Sequence, residues 1–373
     1  MNVVMLLTDG FGGFGGIAKF NRDFLEALDA SEAVNRVEAI PRIISEPIDG
    51  IMPESVVYDR KAAGGKTAFV QRAAAHAWLD CRIDLVICAH INLLPVAHYV
   101  AKHRRARLVL IIHGIDAWQP TDSTFTNHLT QSIDGFIAVS EFSADKFCQW
   151  SGVSRNLSFI LHNCVDLDRF IPQARDQALV ERYRISEYKV IMTLGRLAAK
   201  ERYKGFDEVL EVMPELIVRF PNLKYFVVGE GEDSERLKNK AKSLDVEKHT
   251  IFTGRIPESK KVAYYSLADA YVMPSSGEGF GIVLIEAAAA GIPVIGSTVD
   301  GSREALLNGR MGRLVNPKNP SEIIETITQV LNNNAPHRRP DGIEMFGVTE
   351  FRARVDHWAR DESKACFPRR NVA

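Results

Sequence analysis

Short, β-branched apolar runs recur along the chain, separated by stretches with helical spacing. Val3–Leu7, Leu85–Cys88, Leu108–Ile112, Phe136–Val139 and Ser158–Leu161 are brief and almost continuously apolar, the pattern of strands buried on both faces. Between them, Phe20–Ala30 and Thr67–Asp80 carry an amphipathic, helix-like period. The alternation restarts after Pro172, with strands expected at Val190–Leu194, Tyr225–Val228, Ile251–Thr253, Ala270–Met273 and Pro293–Gly296. Helices are expected near Phe206–Arg219, Lys260–Ala268, Gly281–Ala290 and Glu322–Leu331. This strand–helix–strand grammar, run twice, predicts an α/β chain of two Rossmann-like, doubly wound domains, each with its ligand loops at the carboxyl ends of parallel strands. Two such sheets in one chain are expected to face a central cleft. The junction is expected within Asp166–Arg175, and the polar, Pro-containing stretch 332–340 reads as a linker. A last helix over Val348–Asp361 puts Phe351, Val355 and Trp358 on one face, suited to packing back on the first domain. The expected division is therefore 1–168, joined by a C-terminal helix at about 348–373, and 169–347.

Length agrees with two cores, since 373 residues exceed the roughly 250–300 at which a single core stops growing. Forty-six Lys and Arg against 47 Asp and Glu leave a formal charge of −1, which argues against a nucleic-acid-binding surface. The five cysteines, Cys81, Cys88, Cys148, Cys164 and Cys366, form no C-x-x-C pair, so neither a disulfide framework nor a structural zinc is expected. The run Val3–Leu7 is too short for a signal-peptide core, and no apolar stretch approaches a membrane span. A cytoplasmic protein is expected, at most peripheral to the inner face of a membrane.

Three constellations carry chemistry. Gly10-Phe-Gly-Gly-Phe-Gly15-Gly16 lies between a strand and a helix, where glycines let backbone N–H groups approach an anion and the helix N-terminus adds partial positive charge. It also matches the dinucleotide pattern G-x-G-x-x-G, with Glu38 near the end of a second strand as a candidate ribose acid, so a dehydrogenase stays open at this point. A plain strand-to-helix turn is the alternative. Next, Gly195-Arg196-Leu197 follows a strand and Lys204-Gly205 opens a helix; Arg196 and Lys204 suit a diphosphate, with Lys200 and Arg202 as neighbouring candidates. Third, Pro274-Ser-Ser-Gly-Glu278-Gly-Phe-Gly-Ile-Val-Leu-Ile-Glu286 sets one glutamate in a Gly-rich loop and another about two turns into an apolar helix. A buried acid there needs a ligand or an internal partner. Carboxylates of this kind grip sugar hydroxyls.

Taken together, Glu278-Gly-Phe-Gly with Glu286, Gly195-Arg196-Leu197 with Lys204-Gly205, His113-Gly114, Val139-Ser140, and Gly291-Ile-Pro-Val-Ile with Glu304 and Gly312-Arg-Leu-Val-Asn-Pro resemble the retaining GT-B glycosyltransferases of family four, also called group 1. The resemblance runs from Val3 to about Leu331. It implies a hexosyltransferase that takes a UDP- or GDP-sugar donor, retains anomeric configuration and passes the hexose to a glycan or lipid-linked acceptor, as in polysaccharide or glycolipid synthesis. It gives Glu286 to the ribose, and Glu278 with Phe280, Gly281 and Ile282 to the donor hexose. Arg196 and Lys204 fall to the diphosphate, His113 to the neighbourhood of the transferred sugar, Gly15 and Gly16 to the diphosphate or acceptor, and Gly229 and Arg255 to the base pocket. Two departures are visible: Asn163-Cys164-Val165-Asp166 stands where the family usually has Asn-Gly-Val-Asp, and the gap from Arg196 to Lys204 is longer than in many relatives.

Asp166-Leu167-Asp168 matches the D-x-D by which other glycosyltransferases hold a divalent metal, but it lies in the junction, remote in sequence from the phosphate-binding cations. A capping role is expected for it, and no metal or other cofactor is expected in transfer. The rivals are a sugar-nucleotide epimerase and a non-catalytic sugar-nucleotide-binding subunit; a dehydrogenase would leave the glutamate pair and the Arg/Lys loop idle. For the acceptor side, Arg60, Lys61, Lys66, Arg72 and the run His103-Arg-Arg-Ala-Arg107 offer either a solvated face or contact with anionic lipid.

Overall fold

The computed structural model describes residues 1–48, 52–78, 82–333 and 337–366. The chain forms two compact units, one of residues 1–164 with the helix Val348–Cys366 and one of Val165–Gly347. The first holds a seven-stranded parallel sheet of β1 (Asn2–Leu7), β2 (Arg36–Pro41), β3 (Val56–Tyr58), β4 (Leu85–Cys88), β5 (Arg107–Ile112), β6 (Gly135–Ala138) and β7 (Ser158–Ile160), ordered β3-β2-β1-β4-β5-β6-β7. The second holds β8 (Lys189–Leu194), β9 (Leu223–Val228), β10 (Thr250–Gly254), β11 (Ala270–Val272), β12 (Val294–Ser297) and β13 (Arg313–Val315), ordered β10-β9-β8-β11-β12-β13. All of these pairings are parallel, and the two orders run alike outward from the central strand pair.

Helices cover both faces of such sheets, so the central strands are almost continuously apolar, β4 throughout and β5 after Arg107. Each unit has its own core. In the first, Val86, Leu110, Phe136 and Phe147 pack with Leu94 and Ala97. In the second, Ile191, Tyr225, Val227, Leu210 and Ile323 do the same. The C-terminal helix buries Phe351, Val355 and Trp358. Its rings lie against the helix Gly16–Asp29, with Phe20 to Phe351 at 5.9 Å and Phe24 to Trp358 at 5.6 Å between centroids.

Elements differ from expectation mainly at their ends. The helix expected at Thr67–Asp80 runs over Lys66–Ala75, and positions 79 and 80 lie outside the described residues, as does part of the expected linker at 332–340. Cys81 lies outside them too; Cys88, Cys148, Cys164 and Cys366 are free thiols. Among the described residues no helix is long and apolar enough to cross a membrane.

Candidate active site

In doubly wound sheets the crossovers leave in opposite directions at one strand pair, and the crevice at the carboxyl ends of that pair is where ligands bind. In the first unit the pair is β1 and β4. The glycine-rich segment leaves β1 as a fixed turn rather than a loose link. Gly13 N–H donates to Gly10 O at 2.9 Å, Arg22 Nη1 donates to both Gly10 O and Gly13 O at 3.0 Å, and Asn21 Nδ2 donates to Asp9 O at 2.8 Å. Gly15 caps the helix that starts at Gly16, and a methyl group at either glycine would meet nothing within 4 Å. Glu38 does not occupy the strand end that a dinucleotide site requires. It is the third residue of β2 and pairs with Arg36 at 3.1 Å and His76 at 3.5 Å, so the dinucleotide reading lacks its acid.

His113 follows β5 directly, and its Nε2–H donates to Ala89 O at 3.0 Å. Phe20 meets the ring edge-on at 5.2 Å. Burial pushes its pKa down to about 3, helped by neighbouring His90, so the ring is neutral at pH 7. With Nε2 fixed as the donor, Nδ1 is left as an acceptor suited to a hydroxyl. In the same loop, burial pushes the Asp116 carboxyl up to about 7, against backbone hydrogen bonds from His113, Gly114 and Asp116 itself.

In the second unit the corresponding pair is β8 and β11. Its strand ends carry two of the segments singled out in the sequence, Gly195-Arg196 after β8 and Pro274–Gly281 after β11, so residues some 80 positions apart meet at one crevice. Lys204 Nζ donates to Glu278 Oε1 at 2.7 Å and lies 3.5 Å from Glu201 Oε2. Burial alone would lower the lysine pKa, but Glu278, Tyr203 and Glu201 outweigh it and hold the ammonium above its ordinary value. Arg196 pairs with Glu201 and is 56% exposed at its side chain, against 17% for Lys204. Lys200 is exposed and Arg202 is bound to Asp233 at 3.0 Å, so Lys204 is the lysine that joins the two loops.

Glu278 is held from behind. Its backbone N–H donates to Asp300 Oδ2 at 2.9 Å, and that buried carboxylate also accepts from Ser275 Oγ at 2.7 Å and Ser302 N–H at 3.0 Å. Phe280 is buried against Phe346 at 5.4 Å between centroids, and Gly281 caps the helix Ile282–Ala289. Gly229 follows β9 and bridges Gly254 at the end of β10, with Arg255 exposed beyond it.

Glu286, expected at the ribose, is enclosed in this structure. Its side chain has 0% exposure, and both oxygens are already used: Lys261 Nζ donates at 3.0 and 3.1 Å and Tyr265 OH at 3.0 Å. The apolar helix signalled that this acid needs a partner, and the partner is internal. Asp166 Oδ1 accepts from the backbone N–H groups of Asp168 and Arg169 at 3.0 and 3.2 Å, a local turn cap. Asp300, Lys261 and Tyr265 were not singled out in the sequence; the only hint was an acid beside Gly301 after β12 and a run of polar residues after β10.

The chain matches the family described as Glycosyltransferase Family 4 over residues 14–169 and that described as Glycosyl transferases group 1 over residues 176–341. It is 28% identical over 331 residues, 86% of this chain and 80% of the other, to a GDP-mannose-dependent alpha-(1-6)-phosphatidylinositol monomannoside mannosyltransferase of Mycolicibacterium smegmatis. In fold it is similar to sucrose-phosphate synthase from Thermosynechococcus elongatus, with TM-score 0.75 and 18% identity, covering 98% of this chain and 100% of that one. It is likewise similar to Anabaena HepE in complex with UDP-glucose, with TM-score 0.73 and 19% identity, covering 97% and 100%. The fold is therefore GT-B.

Proposed function

The chain belongs to the group 1 glycosyltransferases, and from that premise we propose that it moves a hexose from a nucleoside diphosphate sugar to a glycan or lipid-linked acceptor, with retention and without a metal. GDP-mannose is the first donor to test, since the mycobacterial relative uses it and is aligned over most of both chains. The observation that carries the reading is the 2.7 Å contact between Lys204 and Glu278, which brings a diphosphate-neutralising cation beside a carboxylate suited to hexose hydroxyls. As the donor bond breaks, negative charge grows on the diphosphate and positive charge on the anomeric carbon. Lys204 and Arg196 stabilise the former. The diphosphate oxygen then takes the acceptor's proton on the same face, so no protein nucleophile is needed, and positioning with fixed charge supplies the catalysis. His113 Nδ1 accepts from a sugar hydroxyl.

Metal independence follows from this division of labour. Transfer from GDP-mannose, followed by release of GDP, is expected to keep its rate in excess EDTA. Loss of activity that Mn²⁺ restores would defeat it and return attention to Asp166 and Asp168.

For a lipid-linked acceptor we propose peripheral contact through the face that carries Trp78. This indole is 73% exposed, donates from Nε1 to Tyr99 OH at 3.2 Å and lies 5.4 Å from the His103 ring, with exposed Lys102 and Arg105 nearby in sequence. Arg107, expected to belong to this basic cluster, turns instead to Glu362 at 2.8 Å. An indole beside basic residues suits the interface of an anionic bilayer, where each cation contributes about 1 kcal/mol. Trp78→Ser combined with Lys102→Glu is expected to abolish co-sedimentation with phosphatidylglycerol vesicles while leaving donor hydrolysis intact. Unchanged sedimentation would remove this face from the proposal.

A further inference from the structure

The loop that carries Glu278 is pinned on two sides. On one, Ser276 N–H donates to Tyr203 O at 2.8 Å, and Lys204 holds the Glu278 carboxylate at 2.7 Å. On the other, the loop meets the turn after β12. There Glu278 N–H donates to Asp300 Oδ2 at 2.9 Å, and Gly301 N–H donates back to Glu278 O at 2.9 Å. The approach leaves no room for a side chain: a Cβ on Gly301 would sit 2.1 Å from Gly279 O.

Asp300 is 1% exposed, and among the described residues no lysine or arginine pairs with it. Its charge is met by hydrogen-bond donors alone: Glu278 N–H and Ser275 Oγ–H at Oδ2, and Ser302 N–H at Oδ1. Burial holds the carboxyl above its ordinary range, against the hydrogen bonds from Glu278, Ser302 and Ser275, and the nearby Glu278 charge raises it further. A buried acid without a cation is costly, and a neutral side chain would fill the same space at less cost. Departures of this kind concentrate where a site needs them. Here the need is visible, because one of the donors is the backbone of Glu278 itself. The two carboxylates also repel one another, and that repulsion favours the side of the loop on which Lys204 lies.

We propose that Asp300 is a positioning residue for hexose transfer: it fixes the Glu278 backbone from behind and turns the Glu278 carboxylate toward Lys204 and the donor hexose. This rests on the nucleotide-sugar reading above. Asp300 touches no substrate and acts through Glu278. Asp300→Asn keeps the shape but offers one acceptor oxygen in place of two, so either Glu278 N–H or Ser302 N–H then faces an amide NH₂.

The test is a double-mutant cycle of Asp300→Asn and Glu278→Ala. It is read by steady-state kinetics with GDP-mannose, or with UDP-glucose if the parent turns over only that donor, and by calorimetric binding of the same donor and of its nucleoside diphosphate. Asp300→Asn is expected to lower kcat roughly 10²-fold, the scale of a misplacement of about 1 Å, and to weaken the intact donor while the nucleoside diphosphate binds as in the parent. In the Glu278→Ala background the same substitution should cost nothing further, in kcat or in donor affinity, because groups that act as a unit are not additive. The donor-affinity arm needs no turnover and so reads the cycle even in an inactive background. Losses that multiply, or a parental kcat in Asp300→Asn, would overturn the proposal. So would a loss of nucleoside diphosphate affinity equal to the loss in donor affinity, the mark of a purely structural role. If Asp300→Asn fails to fold, Ser275→Ala removes one donor to the same carboxylate. It should lower kcat and donor affinity about fivefold, the scale of one lost hydrogen bond, and parental values there would overturn the proposal. If the parent transfers hexose from neither donor, the proposed function fails and this inference with it, whereas additive losses at Asp300 and Glu278 leave that function standing.

Discussion

Lys204→Ala is expected to lower kcat by roughly 10² to 10³, the scale seen when one preorganised stabilising group is removed. The diphosphate is already anionic in the bound donor and keeps its contacts to backbone N–H groups, so the lysine contributes most when charge grows on the leaving group. The loss should therefore fall on kcat more than on KM. The structure separates the two cations that look alike in the sequence. Lys204 is mostly buried between Glu278 and Glu201, where the low dielectric strengthens its field, whereas the Arg196 side chain is more than half exposed and screened by water. Arg196→Ala should accordingly cost less than Lys204→Ala. Removing Lys204 also leaves Glu278 without its 2.7 Å partner, so part of the loss will come from a displaced sugar-binding carboxylate. Lys204→Arg, which restores charge but not geometry, measures that part. Steady-state donor kinetics on folded variants decide the matter. A Lys204→Ala enzyme with parental kcat and only a raised KM would make the lysine an anchor for the ground state.

That contrast between Lys204 and Arg196 is not visible in the sequence, and the reason is general. Features set by local pattern were legible. The helix Phe206–Arg219 has the bounds its amphipathic period predicts, and the central strands follow their apolar runs. β3 and β13, three-residue edge strands with one buried position each, escaped, whereas β7, equally short, was read from an apolar run that continues into buried Leu161. The helix Glu141–Ser151 escaped because only Ser143, Ala144 and Phe147 are buried along it, although Ser140 caps it through Ser143 N–H. In the site, glycine-rich turns and spaced acids are local signals, and they were read. Partners are not local: Lys261 lies 25 positions from Glu286 and Asp300 lies 22 from Glu278, distances that only the sheet order closes. The need of Glu286 for a partner was therefore legible while the partner was not, and an acid suited to ribose turned out to be fully enclosed.

Glycines of the site present the same one-letter signal for two opposite physical reasons, and alanine substitution should separate them. At Gly229 the backbone φ is 139°, and a Cβ would sit 1.9 Å from the carbonyl oxygen of Gly195, because the ends of β8 and β9 close on one another there through Gly195 N–H donating to Val228 O at 3.0 Å. Neither atom is the end of a flexible side chain, so the backbone must move. Strain at the residue and overpacking against the carbonyl each contribute about 1–3 kcal/mol, so Gly229→Ala should lose about 4 kcal/mol of stability. In a unit of this size that corresponds to a fall in Tm on the order of 10 °C. At Gly16 a Cβ meets nothing within 4 Å and the position lies on the first turn of a helix, where alanine is the better helix former. Gly16→Ala should therefore keep the parental Tm. Its methyl group, however, occupies the open surface at the carboxyl edge of β1 and β4, through which a phosphate or acceptor oxygen would approach the backbone. Transfer by this variant should fall roughly tenfold, about the free energy of one hydrogen bond to a charged group. Calorimetric melting and donor kinetics on both variants provide the comparison. A Gly229→Ala protein as stable as the parent would mean that the ends of β8 and β9 do not close as described. Parental turnover in Gly16→Ala would take the glycine-rich turn out of the active site and leave it as the link between a strand and a helix.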